Sequence, residues 1–598
     1  MTLKTKNNSI LQAVALFLRG RAFTALSLDI LRCLLLAIFV SLAWCYVTGR
    51  WTSEMWQLPI EYTNDHERAD ITSLYAGVKA ASQGHFIPFL YKTIPELGAP
   101  TVAQWNDYPI VEQFLFFFTG VLASYIGIFP AVTFAVMFAH ILASISFYVA
   151  CRFLRLRWLW AFAGAVIFGL SSFGFAHGAH HLNITYYWHV PLCLIVCYWI
   201  NSEQGLSIGS RRFIFALGVA FATGLQNVYY TNIFVQLVLL GGFIQALRTG
   251  WRGILPAFGI VAMAALAFSL MNIHTWIFQL IYGPPDKASF VRLYQHLELY
   301  ALKCVDLVIP PPDHRSAAFA AFGSRHLQEI VLPPGEFPPP GYIGIVGIAG
   351  LFALLLTSFQ AVVKKSFSNF PIEAWQILWI FIYSTTGGLN AIIGSTLGIQ
   401  LFRTTSRYSI VILCIILFYL VKTLTKQVKK ITFLGYALVT FVTFVALWDQ
   451  LPQSISEQHI NETEFAVTSD REFTNRMESA LPKAAMVFQL PIMEFPEGPV
   501  PGVPSWDHFR PYIFSKYLRY SFGAMKGRPE ARWQRDLTSL SLADAVTKLR
   551  GLGFRAILIN RNGFPDKAKG FLQSLSTLGQ SQLIESPAGD LVCVVLAG

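Results

Sequence analysis

The sequence predicts a polytopic α-helical membrane protein that ends in a smaller α/β domain. Of its 598 residues, 54% are hydrophobic and 13% are charged, whereas a soluble globular protein carries about a quarter charged residues. Apolar runs close to the ~20 residues that cross a bilayer recur along the chain. After about residue 450 the apolar runs become short and alternate with amphipathic stretches, as in "AAMVFQLPI" and "SLADAVTKLRGLG", which is typical of an α/β domain.

The apolar runs set the number of predicted crossings. One run, 109–128, either lies in the interface or re-enters, which leaves 11 spans, or belongs to a set that makes 13. Either count places the C-terminus opposite the N-terminus. The other predicted spans are 30–48, 130–151, 158–176, 184–201, 212–228, 230–247, 254–272, 342–360, 374–389, 408–422 and 431–448.

Basic residues fall in clusters between these runs, which is the positive-inside pattern. The net charge of +12 therefore reflects topology and does not indicate a nucleic-acid partner. Arg32 lies near the start of the first run and no small-residue cleavage site follows it, which favours a retained span over a cleaved signal peptide. The expected organisation is a cytoplasmic segment 1–29, a membrane module 30–449 with outer loops at 49–108 and at the proline-rich 273–341, and an outer α/β domain 450–598.

Several classes of protein are disfavoured. The eight cysteines are scattered and form no CxxC pair, so neither a disulfide framework nor a metal site is supported. The sequence contains no GxxxxGK[ST], no GxGxxG after a strand, no HExxH and no GxSxG. This pattern weakens the hypothesis of a nucleotide-driven transporter or hydrolase.

Asp70 is the first candidate for chemistry. It lies in the loop after the first span and precedes "ITSLYAGVKAA". A carboxylate partly shielded from water at a membrane surface has a raised pKa and can act as a general base toward an acceptor hydroxyl. The alternatives are a solvated loop acid or an acid that caps the following helix.

Two further stretches offer polar residues that could contact a substrate. The first, "ELGAPTVAQWNDYPIVEQF", contains Asp107, Tyr108 and Glu112, for which structural or interfacial roles are equally plausible. The second, "FAHGAHHLNITYYWHVPL", contains His180 and His181. Its histidines could bind a metal, contact a sugar or headgroup, or simply lie satisfied in an interface belt.

Arginines form the last candidate group. In "QLFRTTSRYSIVIL", Arg403 and Arg407 precede a span on the side that the topology makes the outer one, against the positive-inside rule. A lipid phosphate is a natural partner, because arginine binds phosphate oxygens bidentately; the alternative is contact with ordinary headgroups. Arg292 and Arg315 in the proline-rich segment are weaker candidates for the same role.

A resemblance to a known family joins these features. The stretches "ERADITSLYAGVKAASQGHF", "ELGAPTVAQWNDYP", "GAHHLNITYYWHVPL" and "FRTTSRYS", followed by an outer α/β domain, resemble the GT-C superfamily of integral-membrane glycosyltransferases. The chain looks most similar to bacterial members with a long first loop, over roughly 30–450. The resemblance implies a multi-pass protein of the bacterial inner membrane that takes sugar from a polyprenyl-phosphate carrier.

The same resemblance implies roles for residues. Asp70 matches the family's acidic position and would be the catalytic base, and Arg403 and Arg407 would bind the carrier phosphate. The chain lacks the WWDYG-type signature of oligosaccharyltransferases and has no Asp-x-Asp pair near Asp70, so neither en bloc transfer to asparagine nor a required metal or other cofactor is predicted.

The resulting hypothesis is an inverting glycosyltransferase that acts on an extracytoplasmic glycan, glycolipid or protein, with membrane lipids around it. One alternative is a transporter or flippase for a lipid-linked sugar, which would need charged residues near mid-span. The other is a non-catalytic subunit of a polysaccharide assembly system.

Overall fold

The structure is a computed structural model that describes residues 21–62, 65–108, 112–330, 335–336, 339–366, 370–428 and 433–596. The side chains at 21–25 and 65–69 lie outside the described part, as do residues 1–20 of the expected cytoplasmic segment.

Helices make up most of the described chain. Short 3-10 turns join several of them, including Trp105–Asp107 and Thr405–Tyr408, which both border the cavity described below. The α-helices are Arg21–Thr48, Ser53–Gln57, Asp65–Ser82, Gln113–Ile126, Ile128–Phe153, Trp158–Gly169, Ser172–His177, Leu182–Thr185, Val190–Ile200, Arg211–Gly224, Val228–Thr249, Leu255–Tyr282, Tyr294–Leu299, Ala317–Glu329, Gly344–Val363, Ile372–Ser384, Leu389–Leu397, Ser409–Gln427, Phe433–Gln450, Glu457–Ala480, Phe509–Phe514, Pro529–Asp536, Leu542–Gly551 and Lys569–Thr577.

The predicted fold class is confirmed: the chain is a multi-pass helical protein with a C-terminal sheet. Eight helical segments of the described residues are long and apolar enough to cross a membrane. They are Leu26–Thr48, Ile128–Phe153, Trp158–His177, Val228–Thr249, Trp251–Tyr282, Gly344–Val363, Thr405–Gln427 and Phe433–Gln450.

The remaining predicted spans form shorter helices. Val190–Ile200 has 11 residues, Arg211–Gly224 has 14 and Ile372–Ser384 has 13. The run whose crossing the sequence leaves open forms Gln113–Ile126, with 14 residues. At 1.5 Å per residue such helices fall short of the ~30 Å hydrocarbon core. A total of 11 to 13 crossings therefore stays a prediction.

The C-terminal region is built on a mixed sheet of five strands: β3 (Met486–Leu490), β4 (Arg519–Tyr520), β5 (Phe554–Asn560), β6 (Leu583–Glu585) and β7 (Leu591–Val595). Their order in the sheet is β4-β3-β5-β7-β6. The strands β4, β3 and β5 are parallel, whereas β7 pairs antiparallel with both β5 and β6. The helix Leu542–Gly551 precedes β5 and buries Val546 and Leu549 against one face of the sheet.

The other face of this sheet packs against the loop that follows the first span. That loop forms a two-stranded ribbon of β1 (Thr93–Ile94) and β2 (Ala103–Gln104). Backbone hydrogen bonds join it to the sheet edge, from Tyr520 N to Glu96 O at 2.8 Å and from Ala99 N to Tyr520 O at 2.9 Å. One core therefore includes residues of both regions, and the C-terminal region builds one wall of the site.

Candidate active site

A cavity of about 730 Å³ lies where the first loop, the helices Val228–Thr249 and Leu255–Tyr282, and the C-terminal region meet. This volume is in the range of small-molecule sites. Every residue that the sequence singles out for a site, except Arg315, lines it: Asp70, Asp107, Tyr108, Glu112, His180, His181, Arg292, Arg403 and Arg407. Residues far apart in the sequence therefore share one cavity.

Asp70 lies on the helix Asp65–Ser82 and faces the cavity, with 48% of its side chain accessible. Its Oδ2 atom is 3.5 Å from Nε2 of His181, and no other described residue pairs with it. Although half of its side chain faces the cavity, the protein around the cavity desolvates the carboxylate and raises the pKa of Asp70. The nearby charges of His180 and Arg407 act in the opposite direction and lower this pKa. Desolvation is the expected cause of such a rise, because it disfavours the charged carboxylate. Asp70 thus has a raised pKa, and among the described residues no lysine or arginine pairs with it.

His181 is the neighbour of Asp70. Burial, together with the charges of His180 and Arg407, lowers the pKa of His181 well below its usual range. The imidazole is therefore neutral at pH 7 and does not form a full ion pair with Asp70.

His180 is fixed by an acid that the sequence does not single out. Its Nδ1 atom is 2.8 Å from Oε2 of Glu61. The same oxygen accepts from the backbone N–H of His180, and Oε1 of Glu61 accepts from the backbone N–H of Ala179. Gly178 makes this approach possible, because a Cβ atom there would lie 2.1 Å from Oε1 of Glu61. Although burial alone would raise it, the pKa of Glu61 is held below its usual value by the charge and hydrogen bonds of His180.

Arg407 comes from the turn Thr405–Tyr408 and is neutralised inside the protein. Its Nε atom donates to Oε1 of Glu336 at 2.9 Å, and a second guanidinium N–H donates to the same oxygen. The other oxygen of Glu336 is 3.6 Å from Nε2 of His177. The guanidinium also lies over the ring of Tyr229, 4.9 Å from its centre. Arg407 is therefore held in one position by a carboxylate and a ring.

Arg403 differs from Arg407 in having no such partner. Among the described residues, no carboxylate lies within salt-bridge distance of it; its guanidinium lies over the ring of Tyr300, 4.9 Å from the centre. Burial and the nearby charge of Arg292 lower the pKa of Arg403. Arg292 is itself paired with Glu497 at 3.1 Å. In the described part of the cavity, Arg403 is thus the arginine whose charge is left for an anion.

Asp107 and Tyr108 belong to the wall that joins the two regions. Asp107 pairs with Arg528 of the C-terminal region at 2.7 Å and accepts from Gln279 at 2.8 Å. Both charged side chains are buried. The hydroxyl of Tyr108 lies 3.5 Å from Oγ of Ser73, one turn along the helix from Asp70. Asp107 therefore has a structural partner, while Tyr108 lies close to the acid.

Glu112 is buried at the cavity floor and is held by amides. It accepts from Nδ2 of Asn227 at 3.0 Å and from Nδ2 of Asn183 at 3.3 Å. Burial raises the pKa of Glu112. The rise is the expected effect of desolvation, which disfavours the charged carboxylate.

Arg315 does not line the cavity. Its guanidinium donates to the backbone carbonyl oxygens of Leu451 and Pro452, each at 3.0 Å. These carbonyls follow the helix Phe433–Gln450, where unpaired carbonyls favour a cation. The contacts of Arg315 are thus those of a helix C-terminus.

The described residues contain no group of three or more His, Cys, Asp and Glu that could hold a metal ion. Two histidines of "FAHGAHHLNITYYWHVPL" have different acidic neighbours: His177 lies 3.6 Å from Glu336 and His181 lies 3.5 Å from Asp70. All eight cysteines are unpaired.

Four residues important to the cavity are absent from the sequence-based candidates. Glu61 and Glu336 hold His180 and Arg407, and Glu497 and Trp506 line the cavity from the C-terminal region. The only signal for Glu336 is that it is the acid of "LPPGEFPPPGY". For Glu497 and Trp506 no local signal exists, since their place depends on how the sheet docks.

No family model and no curated protein matches the sequence. Among solved structures, the chain is similar to ArnT from Cupriavidus metallidurans bound to undecaprenyl phosphate, with 14% identity, a TM-score of 0.41, and coverage of 96% of this chain and 99% of that one. The apo state of the same protein matches with 12% identity, a TM-score of 0.40, and coverage of 97% and 99%.

A third match is the arabinofuranosyltransferase AftD from Mycobacteria, with 12% identity and a TM-score of 0.39, over 91% of this chain and 40% of that one. Scores near 0.4 describe a loose likeness of overall architecture, so what the site can do follows from its own residues.

Proposed function

We propose that the protein is a membrane glycosyltransferase that moves a sugar from a polyprenyl-phosphate carrier to a hydroxyl group of an acceptor. One observation carries the proposal: an unpaired acid, Asp70, and an arginine without an acidic partner among the described residues, Arg403, line the same cavity of about 730 Å³. Sugar transfer from a phosphate carrier needs both, a base for the acceptor and a cation for the leaving phosphate.

Asp70 would act as the general base. When an acceptor hydroxyl attacks the anomeric carbon, its proton moves to the carboxylate, and the bond from that carbon to the phosphate oxygen breaks. The raised pKa of Asp70 makes it a better proton acceptor than an ordinary surface carboxylate. A single displacement of this kind inverts the configuration at the anomeric carbon.

Arg403 would bind the departing phosphate directly, because its guanidinium is free to form two parallel hydrogen bonds with phosphate oxygens. Arg407, whose charge is balanced by Glu336, would keep a second guanidinium group in a fixed position nearby. Charges that are already in position stabilise the negative charge that develops on the leaving group.

An apolar side of the cavity would receive the first isoprene units of the carrier. Phe268 and Trp276 of the helix Leu255–Tyr282, together with Leu401, line this side. Leu401 is 71% exposed. Large exposed apolar side chains beside a phosphate-binding arginine suit a ligand with a charged head and a hydrocarbon tail.

The proposal extends to location. It places the protein in a bacterial inner membrane, with a cytoplasmic N-terminus and with the cavity and the α/β region of 450–598 on the extracytoplasmic side. The acceptor would be a glycan, glycolipid or protein. Membrane lipids would surround the apolar helices.

The test uses the purified full chain in nanodiscs with a panel of undecaprenyl-phosphate-linked sugars and cell-envelope acceptors, and detects products by mass spectrometry. We expect Asp70→Asn to lower transfer by about 10²- to 10⁴-fold, the usual contribution of a general base. Asp536→Asn is the matched control, since Asp536 is exposed on the C-terminal region.

Transfer that persists in Asp70→Asn would remove Asp70 from the mechanism. If the wild-type protein instead moves labelled carrier across liposomes and forms no product, the transporter hypothesis is correct. If neither activity occurs and the protein still assembles with envelope polysaccharide enzymes, it is a non-catalytic subunit.

A further inference from the structure

Two residues of the C-terminal region enter the cavity with an unusual backbone. Glu497 has φ 50° and Trp506 has φ 73°, and both line the cavity. Positive φ is unfavourable for residues with a Cβ atom, and for a large aromatic residue it is a genuine outlier. Such strain persists where the surrounding structure fixes it, commonly at ligand-binding sites.

Packing and backbone hydrogen bonds hold this part of the chain at Phe495, just before Glu497, and at Trp506 itself. The ring of Phe495 stacks on Trp105 at 5.1 Å, and Trp506 packs edge-on against Phe495 at 5.4 Å. The carbonyl of Phe495 accepts from Lys526 N at 2.7 Å, and that of Trp506 accepts from Phe509 N at 2.9 Å. The positions of Glu497 and Trp506 are therefore set in advance of any ligand.

Three aromatic rings from three segments form one surface of the cavity. Tyr108 lies 5.7 Å from Phe290 and 6.1 Å from Trp506, measured between ring centres, and all three line the cavity. Trp105, beside them, donates its indole N–H to the carbonyl of Gly523 at 3.0 Å. Trp506 itself is 5% exposed, and its indole N–H has no acceptor among the described residues.

A polar pair borders these rings. Arg292 lies over the ring of Phe290, 4.6 Å from its centre, and pairs with Glu497 at 3.1 Å. Both side chains are partly exposed. Because the pair is neutral overall, it offers hydrogen-bond donors and acceptors without selecting a charged ligand.

The aromatic surface lies next to the proposed base. Asp70 and Ser73 are three residues apart on one helix, so their side chains share a face. Oγ of Ser73 is 3.5 Å from the hydroxyl of Tyr108. A ligand that rests on Tyr108 is thus about one helical turn from Asp70.

We infer that Tyr108, Phe290 and Trp506, bordered by Arg292 and Glu497, form a subsite for a neutral pyranose ring of the acceptor. A pyranose has an apolar face of C–H bonds that packs on aromatic rings, and hydroxyl groups at its edge that need donors and acceptors. The inference rests on the proposed function, which supplies the reason for a sugar hydroxyl beside Asp70.

The test is saturation-transfer NMR on the full chain in nanodiscs. The probes are methyl β-D-glucopyranoside, methyl α-D-mannopyranoside and N-acetylglucosamine, with glycerol as the acyclic control. We expect at least one pyranoside to bind through its ring C–H groups, and Trp506→Leu to weaken it by about fivefold or more, as for loss of an aromatic contact. Trp51→Leu is the matched control, because Trp51 is 59% exposed outside the cavity.

If Trp506→Leu does not fold, Phe290→Leu tests the same surface from a residue outside the C-terminal region and should weaken binding similarly. Absence of pyranoside binding to the wild type, or unchanged binding in both variants, would overturn the subsite. Displacement of the pyranoside by undecaprenyl-phospho-glucose, but not by undecaprenyl phosphate, would assign the ring to the donor and overturn the acceptor assignment.

A parallel titration with undecaprenyl phosphate separates this inference from the proposed function. Binding of the pyranoside without binding of undecaprenyl phosphate would exclude the carrier-dependent mechanism and would still support the sugar subsite. Binding of undecaprenyl phosphate alone would do the reverse.

Discussion

Two cavities meet at His180, and two of their acids, Asp449 and Asp70, differ in their hydrogen-bond partners. The smaller, of about 140 Å³, is also lined by Glu61 and Asp449. Asp449 accepts from the hydroxyl of Tyr342 at 2.7 Å and from the backbone N–H of Ile345 at 2.8 Å. In the larger cavity, Asp70 and Arg403 have no comparable partners among the described residues.

The number of protein donors that a carboxylate accepts from distinguishes acids that stabilise the fold from acids that could react with a substrate. A buried carboxylate whose oxygens are filled by protein donors stabilises the fold and has little left to offer a substrate. A carboxylate that faces open space keeps its acceptor capacity. Polarity alone would not distinguish Asp449 from Asp70, whereas their hydrogen-bond partners do.

The largest expected effect on stability comes from Asp449. Asp449→Leu leaves the Tyr342 hydroxyl and the Ile345 N–H without their acceptor, and we expect a loss of about 3–5 kcal/mol in the free energy of unfolding. Thermal unfolding in nanodiscs measures it. Transfer per folded molecule should be unchanged, and a variant that unfolds normally but has lost transfer would contradict the division between the two cavities.

The two arginines offer a sharper comparison inside the larger cavity. Arg403→Gln should weaken binding of undecaprenyl phosphate by about 10- to 100-fold, since a charge-assisted hydrogen bond contributes ~1.5–3 kcal/mol. Its unfolding temperature should stay near that of the wild type.

Arg407→Gln should instead lower the unfolding temperature, because it leaves Glu336 beside His177 without its cation. Titration with undecaprenyl phosphate and thermal unfolding, each measured on Arg403→Gln and on Arg407→Gln, test these two predictions. The distinction fails if Arg403→Gln unfolds early while Arg407→Gln does not.

The smallest expected effect on the free energy of unfolding comes from Lys79, and it depends on pH. Lys79, on the helix of Asp70, donates to the carbonyls of Tyr512 and Ser515, and burial lowers the pKa of Lys79 to about 7. The unfolded chain holds this proton up to about pH 10. Between these values the unfolded state binds more protons, so the free energy of unfolding rises with pH, by about 1 kcal/mol per unit.

Unfolding midpoints of the wild type and of Lys79→Met between pH 7 and 9 test this sign. The wild type should gain stability relative to the variant as pH rises. Lys548→Met, an exposed control, should follow the wild type, and a wild type that loses stability relative to Lys79→Met over this range would refute the assignment.

Much of the fold follows from the sequence, because length and composition decide whether a segment forms an apolar helix. The run 230–247 appears as Val228–Thr249 and the run 431–448 as Phe433–Gln450. The run 374–389 becomes a helix of 13 residues, Ile372–Ser384. Composition cannot show where such a helix stops, since the carbonyl of its last residue, Ser384, accepts from the distant Leu302 N at 3.0 Å.

The sequence could predict residues that line the cavity, but it could not predict which of them form ion pairs with each other or with other side chains. Asp70 and Arg403 are identified by their type and place in the chain. That Arg407 is held by Glu336, and Asp107 by Arg528, depends on distant segments meeting in space. The contacts of Arg315 could not be predicted for the same reason, because its partners are backbone carbonyls that carry no sequence signature.

The pair between Asp107 and Arg528 joins residues 421 positions apart. Contacts between such distant segments cost loop-closure entropy, so Asp107 gains its cation only when the C-terminal region packs against the loop after the first span. Docking of the C-terminal region and closure of the cavity wall are therefore one event in folding.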